Sequence, residues 1–199
     1  MVPIMALRDA VLAALLEGEA SGYDLAKRFD RSVANFWTAT PQQLYRELDA
    51  MAAEGLIEAR VVPQQRRPTK RLYSLTPAGY EHIRSFTRQQ PKPIAIRDDL
   101  LVMVQALDAG DPTTIRDAIA KQIDWATPKL ATLERLRTRM LGDSSEQQYL
   151  TQTESLGPYL TLLRGIAFEQ ENIRWAEHAL TIIDRRFPHL HGEACCTDR

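Results

Sequence analysis

The stretch TPQQLYREL, residues 40–48, carries the clearest structural signal in the chain. Thr40 has the side chain of a helix N-cap, Pro41 suits the first helical position, and Gln43 completes a capping box with Thr40. Apolar side chains then recur at three- and four-residue spacing, which indicates an amphipathic helix. We therefore predict a helix that begins at Pro41 and ends before Gly55.

Two shorter helices are predicted before this one. Residues 5–17 carry leucine and valine at helical spacing, and Gly18 follows in the position that commonly ends a helix. Ser21 is placed to cap a second helix, whose first turn contains Asp24. The three predicted helices follow one another with short connections.

The period of the apolar pattern changes after Gly55. Residues 56–62 are partly β-branched, residues 71–75 alternate, and a polar loop with two prolines separates them. This arrangement predicts a two-stranded hairpin with a long tip. Thr76 and Pro77 then supply an N-cap and a first helical residue for a fourth helix.

The order of helix, helix, capped helix and hairpin describes a winged helix-turn-helix. We expect residues 1–90 to form this domain, residues 91–188 to form an α-helical domain, and residues 189–199 to be a disordered tail. Prolines at 91 and 93 mark the boundary, because neither can donate a backbone hydrogen bond. The predicted fold class is therefore mainly α, with a small β wing.

The charge of the chain is small in total but unevenly distributed. A net charge of −1 excludes a strongly basic nucleic-acid binder. Residues 59–80 nevertheless contain no acidic residue, and the cationic residues among them are Arg60, Arg66, Arg67, Lys70 and Arg71. Such a strip can be a solvated loop. On the wing of a winged helix-turn-helix it predicts uncompensated positive charge that contacts the DNA backbone or minor groove.

The third helix has the polar side chains that a helix in the major groove needs. A glutamine can pair with adenine, and an arginine with guanine, through two hydrogen bonds each. Together with the cationic strip, this helix predicts binding to double-stranded DNA. The predicted DNA-binding residues are Gln42, Gln43, Tyr45, Arg46, Arg66, Arg67, Lys70 and Arg71.

The second domain is predicted to contain four helices. The first spans residues 94–109, and Asp111 caps the second. Pro128 should kink or split that second helix near its middle. A capping-box pattern at Ser144 begins the third helix, and the last spans residues 159–187.

The last helix carries apolar residues on more than one face, and Gly165 would let another helix approach closely. A single buried side would leave part of this surface in water. We predict that it forms the interface of a homodimer, and the alternative is an intramolecular bundle without an oligomer. The candidate dimerisation residues are Leu160, Leu163, Ile166, Ile173 and Leu180.

Aromatic side chains of the second domain are candidates for lining an apolar effector pocket: Trp125, Tyr159, Phe168 and Trp175. Aromatic residues at helical spacing more often belong to a core, and no sequence feature names a ligand. The tail also holds metal-ligating residue types at 189, 191, 195 and 196. They are crowded into a short polar segment rather than spaced on a scaffold, so we predict no metal site.

Five segments of the chain resemble the PadR family of bacterial transcriptional regulators: SGYDL at 21–25, FW at 36–37, QLYREL at 43–48, EGLI at 54–57 and RLYSLTPAG at 71–79. The resemblance covers residues 5–88 closely, and the rest of the chain is similar to the longer branch of the family. It implies a homodimer that binds a pseudo-palindromic operator, usually represses, and can be released by a small molecule.

Other functional classes find less support in the sequence. No glycine-rich phosphate loop, H-E-x-x-H or G-x-S-x-G motif is present, so we expect neither an enzyme nor a bound cofactor. The chain has no signal-peptide pattern, and its cysteines are two adjacent residues near the end, which favours a cytoplasmic location. The alternative functions are a winged-helix adaptor that binds proteins and a metal- or ligand-buffering protein.

Overall fold

The computed structural model describes residues 4–28, 40–63, 70–91, 93 and 97–191. The chain forms two compact units, Met1–Pro93 and Ile94–Arg199. The wing tip, with Arg66 and Arg67, and the last eight residues lie outside the described residues. Across the described ranges, none of the helices is apolar over a stretch long enough to traverse a bilayer.

Unit 1 contains the predicted helices and hairpin in the predicted order, which confirms the winged helix-turn-helix. Its elements are α1 Ile4–Leu15, β1 Ala20–Ser21, α2 Gly22–Arg28, α3 Pro41–Ala53, β2 Ile57–Val62, β3 Lys70–Leu75 and α4 Pro77–Thr87. The strands form an antiparallel sheet in the order β1-β3-β2. Strand β1 was not predicted, because two residues carry no periodic signal.

Unit 1 folds around one apolar core to which α1, α2, α3 and the sheet all contribute. Leu12, Leu25, Leu48 and Met51 have no exposed surface. Tyr73 of β3 is also buried in this core. The core residues of α3 lie on one side of that helix, as its apolar spacing predicts.

Thr76 joins the hairpin to α4. Its hydroxyl accepts a hydrogen bond from the backbone N–H of Gly79 at 3.1 Å and lies within donating distance of the carbonyls of Gly55 and Leu56, at 2.7 and 2.9 Å. A Cβ atom at Gly79 would lie 2.2 Å from the Leu56 carbonyl oxygen, so only glycine fits there without a backbone shift. The predicted cap at Thr76 is confirmed.

Unit 2 is helical throughout its described residues. Its elements are α5 Asp99–Gln105, α6 Pro112–Leu141, α7 Glu146–Gln152, α8 Leu156–Arg186 and a short 3-10 turn, Pro188–His191. Helices α6 and α8 form a long antiparallel hairpin. The start of α6 packs on the end of α8, and the end of α6 packs on the start of α8. Ile119 of α6 packs in one cluster with Ala176 and Ile183, and Leu133 packs in another with Leu162.

Several helix boundaries in unit 2 differ from the predictions. Helix α5 is much shorter than residues 94–109, because Asp98 caps it and the chain turns after Gln105. The capping box falls on Ser145 and Gln148 rather than on Ser144, since the S-x-x-Q pattern occurs in both registers. The tail predicted from residue 189 begins with the 3-10 turn, where Leu190 packs against the core.

Helix α6 continues through Pro128, so this proline does not split the helix, which was one of the two predicted outcomes. Proline removes one backbone donor from the helix ladder. The hydroxyl of Thr127 donates to the Ile123 carbonyl at 2.8 Å. On either side of the proline, Ala126 and Leu133 are buried.

Candidate nucleic-acid interface

Helix α3 presents one polar face to solvent. Gln42, Tyr45, Arg46 and Asp49 recur at the spacing of a single helix face, and all four are exposed. The opposite side of the helix is buried in the core of unit 1. Three of these residues belong to the predicted DNA-binding set, whereas Asp49 does not.

Gln43 has a structural task at the start of the same helix. Its side-chain oxygen accepts a hydrogen bond from the backbone N–H of Thr40 at 2.9 Å, and the Thr40 hydroxyl oxygen accepts one from the backbone N–H of Gln43 at 3.2 Å. This confirms the predicted capping box. Pairing with adenine through both amide atoms would require Gln43 to give up that cap.

Tyr45 packs against the start of α2. A Cβ atom on Gly22 would come within 2.3 Å of the Tyr45 ring, so the absence of a side chain at Gly22 creates the space that the ring fills. Tyr45 remains 45% exposed, which leaves one side of the ring accessible from the polar face of α3. The glycine of the SGYDL segment thus positions a side chain of the third helix.

The rotation of α3 about its own axis depends on an ion pair with α1. The Arg8 Nε atom donates to the carboxylate of Glu47 at 2.8 Å, and Glu47 is only 7% exposed. The two terminal nitrogens of Arg8 bind both oxygens of Glu54, at 2.6 and 2.8 Å. The hydrogen bond to Glu47 is the main reason that the pKa of Arg8 is raised.

The three described cations of the strip are paired within unit 1. Arg60 binds Glu19 at 2.9 Å and Lys70 binds Asp24 at 2.8 Å. Arg71 binds Asp49 of α3 at 3.1 Å. Uncompensated positive charge at these three cations was predicted, and that prediction is wrong. The sequence window contains no acid, but the fold brings acids from other elements to each of them.

The carboxylate of Asp24 also binds the residue that caps α2, Ser21. The Ser21 hydroxyl accepts from the backbone N–H of Asp24 at 3.1 Å and donates to its carboxylate at 2.8 Å, which confirms the predicted cap. Lys70 and then Ser21 lower the pKa of Asp24. Asp24 is therefore ionised at neutral pH, and its charge offsets that of Lys70 at the base of the wing.

Arg71 and Asp49 form a contact between β3 and α3. The Arg71 Nη1 atom lies 3.1 Å from Asp49 Oδ1. Beside them is the buried phenol of Tyr73, whose pKa is raised chiefly by burial, while the Arg71 charge opposes that rise. Sequence reasoning missed Asp49, although its position three residues after Arg46 already placed it on the polar face of the helix.

The candidate dimerisation residues differ in accessibility. Leu160 is 53% exposed, and Leu163 and Ile173 are half-buried. Ile166 is buried in the cluster that joins α6 to α8, and Leu180 packs partly into the other cluster. Leu160 is therefore the member of the set with the most free surface.

The four candidate pocket aromatics are not brought together. Trp125 is 69% exposed and lines an open cleft of about 560 Å³ between α5 and α6. Tyr159 is fully buried, and its hydroxyl donates to Glu146 at 2.7 Å. Phe168 lies under the guanidinium of Arg164, and Trp175 packs partly into the core cluster of Ile119.

Comparisons with known proteins agree with this architecture. Residues 11–85 match the transcriptional regulator PadR-like family, and residues 96–184 match the family described as virulence activator alpha C-term. A probable transcriptional regulator of Mycobacterium tuberculosis is 30% identical to the chain over 192 residues, which span 92% of this chain and 100% of the relative. The negative transcriptional regulator PadR of Bacillus subtilis is 27% identical over 180 residues, 90% of this chain and 98% of the relative.

Solved structures show the same fold over both units. Bacillus subtilis PadR in complex with operator DNA has a TM-score of 0.73, with 27% identity over 90% of this chain and 99% of that one. The same protein in complex with p-coumaric acid has a TM-score of 0.68, with 26% identity over 92% and 98%. The virulence activator AphA of Vibrio cholerae has a TM-score of 0.65, with 26% identity over 90% and 99%.

The chain belongs to the PadR-like family of transcriptional regulators. This confirms the family that the sequence segments indicated, and the family consists of regulators rather than enzymes. The fold class that was expected, a winged helix-turn-helix followed by a helical part, is confirmed as well.

Replacing Arg8 with alanine should destabilise unit 1. The change leaves the Glu47 carboxylate buried without its partner. The expected loss in unfolding free energy is about 3 kcal/mol, which is the low end of the range for buried pairs because Arg8 is partly exposed. Urea unfolding followed by circular dichroism measures the loss. Adding Glu47→Gln to Arg8→Ala should recover most of it, whereas the exposed pair variant Arg84→Ala should change stability by less than about 0.5 kcal/mol. A small loss in Arg8→Ala would contradict the role given to this pair.

Proposed function

We propose that the chain is a repressor that binds a pseudo-palindromic DNA operator as a homodimer. The observation that carries this proposal is the polar face of α3, which is capped at Thr40, held by Arg8 and exposed along its length. Glutamine and arginine on one helix face have the donors and acceptors that read adenine and guanine in the major groove. The operator complex of the related Bacillus subtilis PadR supports the same use of this fold.

The proposed base-reading residues are Gln42 and Arg46, with Tyr45 beside them. Within the described residues, Arg46 makes no ion pair, so its guanidinium is available to a ligand. Gln42 is exposed one turn earlier on the same face. We assign Arg66 and Arg67 of the wing tip to phosphate contacts, which position a protein on DNA without reading its sequence.

Replacing Gln42 or Arg46 with alanine should weaken operator binding selectively. The operator is first obtained by footprinting the purified chain on genomic DNA. Each variant should then lose about 1–3 kcal/mol on the operator, or about 5- to 150-fold in affinity, and much less on random DNA. Fluorescence anisotropy at several salt concentrations measures both affinities.

Arg84→Ala is the matched control for that experiment, because Arg84 is an exposed arginine on α4 that pairs with Glu81. Its operator affinity should equal that of the unchanged chain. Equal losses on random DNA for Arg46→Ala would make Arg46 a phosphate contact. A wild-type chain without salt-dependent affinity for any DNA would favour the protein-binding adaptor instead.

The homodimer is proposed to form through α8. Reading two half-sites requires two copies related by a two-fold axis, and such an interface is built from the same surface on both copies. Helix α8 retains large exposed apolar side chains after packing on α6, at Leu156, Leu160, Phe168 and Ile182. Residues 91–188 are thus assigned to dimerisation and effector response, and residues 1–90 to DNA binding.

Replacing Leu160 with aspartate should dissociate the dimer. Leu160 is exposed within one chain, so the change should leave the fold intact, but in an interface it would bury an unpaired charge, which costs several kcal/mol. Light scattering at micromolar concentration should show a dimer for the wild type and for the control Gln170→Asp, and a monomer for Leu160→Asp. A monomeric wild type would contradict the proposal, and circular dichroism checks that the variant is folded.

We further propose that a small aromatic molecule releases the operator, with Trp125 as its stacking partner. Bacillus subtilis PadR in complex with p-coumaric acid supports an aromatic effector in the family. In this chain the cleft beside Trp125 is lined by Asp98, Asp99 and Asp117 and by a single lysine. This excess of negative charge disfavours a carboxylate and favours a neutral phenol.

The neutral methyl ester of p-coumaric acid should therefore release the operator at a lower concentration than the acid does. Competition anisotropy with the preformed operator complex measures both release curves. Trp125→Ala should shift the ester curve to higher concentration, because stacking is lost, while its operator affinity without effector should stay unchanged. Release by the acid alone would place the effector site elsewhere, and release by neither would contradict this type of effector.

A further inference from the structure

The polar face of α3 contains a carboxylate where a DNA-binding surface is expected to avoid one. Asp49 lies three residues after Arg46 and seven after Gln42, and its side chain is 67% exposed. A negative charge at this place is repelled by DNA phosphates, unless it accepts a hydrogen bond from a cytosine amino group. We therefore expect a favourable interaction of Asp49 that offsets this repulsion.

The structure gives Asp49 a partner on the wing. Its Oδ1 atom lies 3.1 Å from Nη1 of Arg71, and the Arg71 side chain is 56% exposed. Arg71 is on β3. Two residues further along the same strand, Tyr73 is buried in the core of unit 1. The pair thus joins the polar face of α3 to the rigid part of the hairpin rather than to its tip.

Arg71 also belongs to a strip in which each described cation has an acidic partner. Lys70 pairs with Asp24 and Arg60 pairs with Glu19, so the base of the wing offers little free positive charge. Each free cation at a DNA-facing surface adds affinity for any sequence, because it neutralises one phosphate and releases counterions. Pairing Arg71 with an acid removes one such contact without removing the arginine.

We propose that Asp49 is a specificity-determining residue that holds Arg71 away from DNA phosphates. The inference rests on the proposed DNA-binding face of α3. The Asp49–Arg71 pair stays intact on the operator, where it joins α3 to the hairpin. It lowers the affinity for random DNA and thereby raises the ratio of operator binding to random binding.

The test is a set of variants measured on the operator and on random duplex DNA over a range of salt concentrations. Asp49→Asn keeps the size of the side chain but removes the charge that holds Arg71. Its affinity for random DNA should rise about three- to fivefold, the equivalent of one exposed ion pair, and the log–log salt slope should steepen by about 0.9. Operator affinity should rise less, so the specificity ratio should fall.

Further variants separate this effect from its alternatives. Arg71→Ala should lower random-DNA affinity, because it leaves the Asp49 carboxylate unpaired beside the DNA phosphates. The double variant Asp49→Asn with Arg71→Ala removes both charges and should return the affinity and its salt slope to the wild-type values. Glu58→Gln is the control for net charge, because Glu58 is an exposed acid on β2 that binds Ser74 and no cation in the described residues. Its random-DNA slope should stay at the wild-type value.

Three results would overturn the inference. A loss of random-DNA affinity in the double variant relative to the wild type would show that Arg71 already contacts phosphate, and a loss of operator affinity at a single base pair in Asp49→Asn would show that Asp49 reads a cytosine. Gln42→Ala is measured in the same series. If it binds the operator like the wild type, the proposed interface fails; if it loses affinity and Asp49→Asn behaves like the wild type, the inference about Asp49 alone fails.

Discussion

The ion pair between Arg8 and Glu47 holds α3 against α1. The Glu47 side chain is almost fully buried, and Arg8 binds it there. A rotation of α3 by one residue, about 100°, would separate the pair and turn Arg46 toward the core. Leu44, Leu48 and Met51 are buried on the same side of α3 as Glu47, so the apolar side chains and the ion pair favour the same rotation.

Other contacts in unit 1 position the side chains on the exposed polar face of α3. The capping box at Thr40 defines where α3 begins, Gly22 makes room for the ring of Tyr45, and Arg71 ties the hairpin to Asp49. These contacts exist before any ligand is bound, so their conformational entropy is lost during folding rather than during association. A surface prepared in this way suits a protein that distinguishes among similar ligands.

Local signals in the sequence were enough to predict the helices and the hairpin of unit 1. They missed the two-residue strand β1, and they failed where a feature depends on partners far along the chain. Thr40 and Thr76 act through residues three positions away, so their caps were predicted correctly. The acids that neutralise the cationic strip come from other elements, and no window of sequence contains both partners. The register of a short capping pattern is also ambiguous, because Ser144 and Ser145 both have a glutamine three residues later. In the structure Ser145 is the residue that caps α7.

The long hairpin of α6 and α8 is fastened at three levels along its length. Arg116 binds Asp184 near one end, Lys129 binds the buried Glu169 near the middle, and Arg137 binds Tyr159 toward the other end. Sliding one helix past the other by a single turn, about 5.4 Å, would break all three contacts and leave Glu169 buried without its lysine. The hairpin therefore resists ratcheting. Any displacement of one helix along its axis that keeps these contacts must carry the other helix with it.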